Sequence, residues 1–247
     1  MKTPKASFVL VLFLVVAATR LTAVSIGVSL GTSAPPATIG GYAMGAFTDS
    51  SATGSSTTAV SPPGTAPVTG DLTFDRALVH YRVDTSPPPD AWATWSHGYS
   101  GSVYHLEVFE NFPDDETGAG TTAETLWLTL PSATKAFSLY IEPGTFGSAV
   151  FDILGWDDQP LSDPVAFLQQ EIFGEGGARG YGFYTSDAAS SLARISITGY
   201  GTWPDGFAIG EFAINHIPAT GVPEGGVTAV MLSGAILLLA GLRRRIA

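Results

Sequence analysis

From Asp71 onward the chain is assembled from short apolar runs, each closed within a few residues by Gly, Pro or Asp. The runs are Leu72 to Phe74, Ala77 to Val83, Val103 to Phe109, Glu124 to Leu130, Ala136 to Ile141, Ser148 to Leu154, Arg179 to Tyr184, Leu192 to Ile197 and Phe207 to Ile214. Several alternate with period two: Leu126, Leu128 and Leu130 share one face, and Tyr104, Leu106 and Val108 lie opposite Val103, His105, Glu107 and Phe109. Pro131, Pro143-Gly144, Asp157-Asp158-Gln159-Pro160 and Trp203-Pro204-Asp205-Gly206 sit at the joints. Short strands spaced by turns predict an all-β domain, a β-sandwich or jelly roll, over residues 71–218. Composition agrees: 29 Gly, 17 Pro, 11% aromatic and only 13% charged residues favour turns and strands over charged helical faces. Asp163 to Phe173 opens on an Asp-Pro signal and ends before Gly174, so it reads as a helix; the alternation of Val165, Phe167 and Gln169 fits a strand equally. Residues 24–70 are rich in Ser, Thr, Gly and Pro, and Thr48 to Gly70 reads as a loop or an extended edge segment.

The ends have a different character. Lys2 and Lys5 precede an apolar run of 11 residues, Phe8 to Ala18, too short to span a bilayer and suited to the core of a secretory signal. Residues 1–23 read as a signal peptide, with cleavage after Ala23, or after Ser25 as a second candidate. An uncleaved anchor is the alternative. At the other end, residues 225–242 carry no charge and as a helix would extend about 27 Å, close to the hydrocarbon thickness of a membrane. Their eight Val, Ile and Leu residues supply about −4 kcal/mol toward insertion. Arg243, Arg244 and Arg245 stop the segment and stay cytoplasmic by the positive-inside rule. Both ends therefore place the body outside the membrane. Of the 11 basic residues six lie at the ends, and the body keeps five of them with 21 of the 22 acids, a net charge of −16. Such a surface repels nucleic acid. There is no cysteine, which excludes disulfides, thiolate metal sites and cysteine nucleophiles.

Val222-Pro223-Glu224-Gly225-Gly226, the apolar segment and the terminal arginines together resemble a PEP-CTERM sorting tail, residues 222–247. Gly225 stands where the common form of that motif has a second Pro. Several body stretches, Ala93 to Tyr99, Val103-Tyr104, Ala136 to Pro143 and Asp205 to Phe212, are similar to the ectodomains of such proteins. The resemblance implies export through the Sec translocon, removal of the leader by signal peptidase, membrane anchoring by the C-terminal helix and then processing by an exosortase-like membrane enzyme. It also implies a cell-surface or extracellular-matrix destination associated with exopolysaccharide or biofilm, and no defined activity. A Pro-Glu-Gly-Gly segment cannot continue a helix and so presents the extended backbone that cleavage needs.

Within the body, Trp92, Trp95, His97, Tyr99 and Tyr104, with His105 beside them, form the densest aromatic and imidazole cluster. Flat rings flanked by polar groups suit stacking on a neutral sugar, so a glycan-binding module is the alternative; the same rings could equally fill a sandwich core. A third reading, a glycoside-active hydrolase on a jelly-roll scaffold, needs two facing carboxyls, and candidates such as Glu107 with Glu124 or Glu142 cannot be paired without a structure. No catalytic or cofactor motif is present. His97, His105 and Glu107 lack the spacing of a zinc enzyme. Asp114-Asp115-Glu116 and Asp157-Asp158 are loop carboxylates of the kind structural Ca²⁺ uses, without EF-hand spacing, and solvated turns are their default reading. Arg179, alone in a Gly-rich turn, reads as a salt-bridge partner.

Overall fold

A computed structural model describes residues 25–49, 52–83, 91–92, 94–107, 123–144, 148–159, 163–200 and 206–218. The signal segment 1–23, the sorting tail 222–247 with its apolar segment, and Asp114-Asp115-Glu116 lie outside the described residues. Among those described, no helix is long and apolar enough to cross a membrane.

The described chain is all-β. Its strands are β1 (Ser25–Gly31), β2 (Thr38–Ile39), β3 (Tyr42–Ala46), β4 (Ser56–Val60), β5 (Leu72–Val83), β6 (Ala91–Trp92), β7 (Ser102–Leu106), β8 (Glu124–Thr129), β9 (Ala136–Pro143), β10 (Ser148–Asp157), β11 (Val165–Phe173), β12 (Arg179–Thr185), β13 (Leu192–Tyr200) and β14 (Phe207–Pro218), with a single 3₁₀ turn at Gly174–Gly176. They join one sheet in the order β1-β12-β9-β14-β7-β5-β8-β13-β10-β11, with β2, β3, β4 and β6 attached beside it. The sheet folds over itself as in a sandwich and nearly closes. Phe151 of β10 packs edge-on against Phe207 of β14, with ring centroids 5.3 Å apart. Gly155 of β10 lies under the ring of Phe183 of β12. The inner faces of β8, β10 and β13 thus meet those of β9, β12 and β14 in one core.

Two strands serve both layers, and each is broken where it turns. On β14, Phe207 to Gly210 pair with β7, whereas Ala213 to Pro218 pair with β3, and the register shifts across Glu211 and Phe212. On β5, Thr73 and Phe74 pair with β8, whereas Val79 to Arg82 pair with β7. A bulge bends its strand and redirects side chains. Phe212 accordingly points inward, within 5.5 to 6.3 Å of the rings of Phe47, Phe74, Tyr104 and Phe137. The two apolar runs separated by Asp75-Arg76 are one strand with an irregular centre, because Leu72, Phe74, Leu78 and His80 all turn to the interior.

One sequence expectation changes and two open readings are decided. Asp163 to Phe173 is a strand, not a helix: Phe167 and Ile172 face the core, and the phase shifts at Gln169, whose φ is 55°. The Ser/Thr/Gly/Pro-rich segment contributes β1 to β4, which pair with β12, β3, β14 and β5. Within 48–70, read as a loop or an extended edge segment, Ser56–Val60 is such an extended segment beside β5, and it inserts Val60 into the core. Backbone pairing there supplies what large apolar side chains do not.

Candidate functional site

β9 is buried along its whole length. Its Phe137, Leu139 and Ile141 enter the core, so Ala136, Ser138, Tyr140 and Glu142 point to the other face and need a second cover. The segment Thr94 to Tyr99 provides part of it, folded over the outer side of β9, β14 and β7. Val103, Ala208 and Val83 make a small apolar patch there, packed under Trp95, Tyr99 and Tyr81.

Hydrogen bonds fasten this cover at both ends. The Thr94 hydroxyl donates to Glu142 Oε1 at 2.6 Å, and the Trp95 indole N–H donates to Glu211 Oε2 at 2.9 Å. His97 Nε2 lies 2.6 Å from Glu211 Oε1, and its Nδ1 lies 3.3 Å from the Thr32 carbonyl. The Tyr140 hydroxyl donates to the Ser33 carbonyl at 2.5 Å, and the His97 ring stands edge-on to Tyr140. Tyr99 donates to the Ser102 carbonyl at 3.1 Å and leans on Trp95. Glu211 reaches this face because it occupies the β14 bulge in a left-handed conformation. Its carboxyl is raised above the ordinary carboxylate value by burial, against the opposing effect of the Trp95 and His97 hydrogen bonds. Burial also raises the phenols of Tyr99 and Tyr140, aided by the charge of Glu211.

The expected aromatic cluster is therefore brought together only in part. Trp95, His97 and Tyr99 share one network. The imidazole and the Glu211 carboxyl are only 16% and 9% exposed, so both are committed to the contact between them. Trp92 lies on β6, its backbone in parallel register with Val83. Tyr104 is corrected to a core residue: it is 2% exposed, stacked on Phe212 and hydrogen-bonded to Asp49 at 2.7 Å. His105 stacks edge-on with Tyr81. Of the carboxyls weighed for hydrolysis, Glu124 pairs with Arg76 at 3.0 Å on the surface, and Glu142 is buried beneath Thr94. The carboxyl that shares the Thr94-Trp95 cover with Glu142 is Glu211, which the sequence did not single out. Asp157 and Asp158 cap turns: Asp157 accepts from Ser25 and the Gln159 amide, and Asp158 from the Ser191 amide. Among the described residues, no group of three or more His, Asp or Glu is placed to hold a metal ion. Arg179 donates to the carbonyl of Glu171 at 3.1 Å.

A second aromatic group lies on the outer face of the other layer. The Arg194 guanidinium sits 5.2 Å and 4.8 Å from the ring centroids of Trp127 and Trp156, which are themselves 5.3 Å apart. The alternation of Leu126, Trp127 and Leu128 places Trp127 outward, but only the β8-β13-β10 pairing brings it to Trp156.

No family model matches the chain, and no curated protein matches it. Among solved structures, a likeness of fold extends to the Clostridium thermocellum endo-1,4-β-D-xylanase 10B CBM22-1-GH10 modules complexed with xylohexaose. It has 10% identity and a TM-score of 0.31, and spans 59% of this chain and 25% of that one.

Proposed function

We propose that the chain is an exported cell-surface or extracellular-matrix protein, anchored by residues 225–242 and then processed at Val222 to Gly226 by an exosortase-like membrane enzyme. Its β-sandwich body is structural and non-catalytic, in the setting of an exopolysaccharide matrix. One observation carries this reading. It is the order of features along the chain: every described strand, from β1 (Ser25–Gly31) to β14 (Phe207–Pro218), lies between the two segments read as sorting signals. Cleavage after Ala23 leaves β1 whole, with Ser25 paired to Thr185 and bonded to Asp157. Cleavage after Ser25 would remove both contacts, which supports the reading with Ala23.

The non-catalytic reading draws support from the Thr94 to Tyr99 region. Its imidazole, indole and carboxyl groups are spent on one another, as in a clamp that holds a loop to a sheet. Glycan contact through Trp95, His97 and Tyr99 would require that clamp to open.

Intact-mass measurement of the protein recovered from its native cell surface tests the proposal. The expected mature chain begins at Val24 and ends within Val222 to Gly226. A surface form that retains Arg243 to Arg245 overturns it.

A further inference from the structure

β1 and β11 are the two ends of the sheet order, and the sandwich closes only where they approach. They touch through side chains: a Cβ on Gly27 would lie 2.6 Å from both Phe167 and Val165. Past the end of β1 the seam widens, because β11 runs on into the 3₁₀ turn while β1 has stopped at Gly31. A cleft of about 330 Å³ opens there, lined chiefly by Thr32, Gln169, Gln170, Glu171, Phe173 and Arg179. That volume is at the lower end of the range for small-ligand sites.

Its lining is rich in hydrogen-bonding groups. Thr32, Gln169, Gln170, Glu171 and Arg179 line it, and the planar amide and guanidinium groups among them are of the kind that pairs with the adjacent hydroxyls of a pyranose. Arg179 spends one N–H on the Glu171 carbonyl and Gln170 spends its amide on the Leu168 carbonyl, which fixes both side chains and leaves further donors and acceptors. The Phe173 side chain is 57% exposed and presents a large apolar surface at the rim. Tyr181, the next residue after Arg179 on the same side of β12, packs on Phe167 across the seam. Its hydroxyl is fully buried and finds no hydrogen-bond partner among the described residues, but it lies in the core beneath the seam and does not line the cleft.

We propose that this seam cleft binds a neutral pyranose residue of a polysaccharide chain, with Arg179, Glu171 and the two glutamine amides on its hydroxyls and Phe173 against its apolar face. Charge decides for a neutral sugar: a body carrying 21 acids and five bases disfavours a polyuronate, and Arg179 shares the cleft with Glu171. The site goes beyond the sorting proposal and does not depend on it, since tail processing is read by mass and this binding by titration.

Calorimetric titration of the full-length chain with cellohexaose, xylohexaose and mannohexaose, and with hexagalacturonate as the charged probe, tests the proposal. Saturable binding of at least one neutral hexamer is expected, weakened about tenfold or more in both Arg179→Ala and Phe173→Ala. Trp127→Ala, on the far outer face, should leave it unchanged. Phe173 is exposed, so its truncation keeps the fold, which an unchanged melting temperature verifies. Absence of binding to all three neutral hexamers overturns the proposal. So does tighter binding of hexagalacturonate, or an affinity that survives both cleft substitutions.

Discussion

The side chains of His97 and Glu211 meet at 2.6 Å across 114 residues of sequence, and both residues hold left-handed backbones, with φ of 44° and 51°. A non-glycine residue in that region costs on the order of 1–3 kcal/mol and persists only where its surroundings hold it there. Here each supports the other. The bulge turns Glu211 outward, and the turn at His97-Gly98 brings the imidazole and the Trp95 indole onto its two oxygens.

Glu211→Ala should therefore destabilise the fold by about 1–3 kcal/mol, because it leaves the Trp95 N–H and a His97 nitrogen without their acceptor. In a double-mutant cycle by urea unfolding, Glu211→Ala and His97→Ala should couple by about 0.5 kcal/mol or more. Strictly additive losses would show that the two side chains merely lie close.

The same carboxyl makes stability depend on pH. Its folded pKa lies above the ordinary 4.5, so the folded state keeps a proton that the unfolded chain releases. The Glu211 contribution is complete below the ordinary value and is lost as pH rises through the folded one. Relative to Glu211→Gln, the unmodified protein should lose stability as pH increases from 4.5 upward. A difference that is flat or of opposite slope across that window would mean that hydrogen bonding, not burial, dominates.

Gly180 on β12 leaves room for Tyr140 on the adjacent β9. A Cβ there would lie 2.4 Å from the phenol ring, whose hydroxyl is held by the Ser33 carbonyl and whose edge meets His97. The ring cannot step aside cheaply. Gly180→Ala should cost about 1–3 kcal/mol. Combining it with Tyr140→Leu should recover part of the loss; failure to recover any would place the strain in the backbone instead.

Phe212 stands where four other aromatic rings converge, and only 3% of it is exposed. Phe212→Ala should cost about 3–5 kcal/mol in chemical denaturation. Phe173→Ala, exposed at the cleft rim, should cost less than about 0.5 kcal/mol.

On the outer face, Arg194→Ala should cost about 0.5–1 kcal/mol for each indole contact it loses. Arg194→Lys should restore only part of that, because a point charge cannot stack flat on two rings. Equal stability of all three forms would show that Trp127 and Trp156 hold each other without the guanidinium.

Much of the strand set was legible in the residues, for a local reason. ETLWLTL alternates cleanly, and Leu126, Leu128 and Leu130 all reach the core. Where alternation is broken the reading weakened. Val165 to Phe173 carries a phase shift at Gln169, so its pattern suits a helix and a strand alike, and only the folded sheet decides between them. Ser56 to Val60 has little apolar content and owes its strand to pairing with β5.

By itself the amino-acid order determined an all-β body, its joints and its acidity. These follow from periodicity, turn chemistry and charge, which act between near neighbours. Tertiary structure alone decided that Tyr104 is core, that His97 answers to Glu211, that Trp127 meets Trp156, and that a cleft opens between β11 and β12. Each depends on which distant strands pair and where β5 and β14 bend. That choice comes from packing of the whole core, in which residues more than a hundred positions apart become neighbours, and no local window contains it.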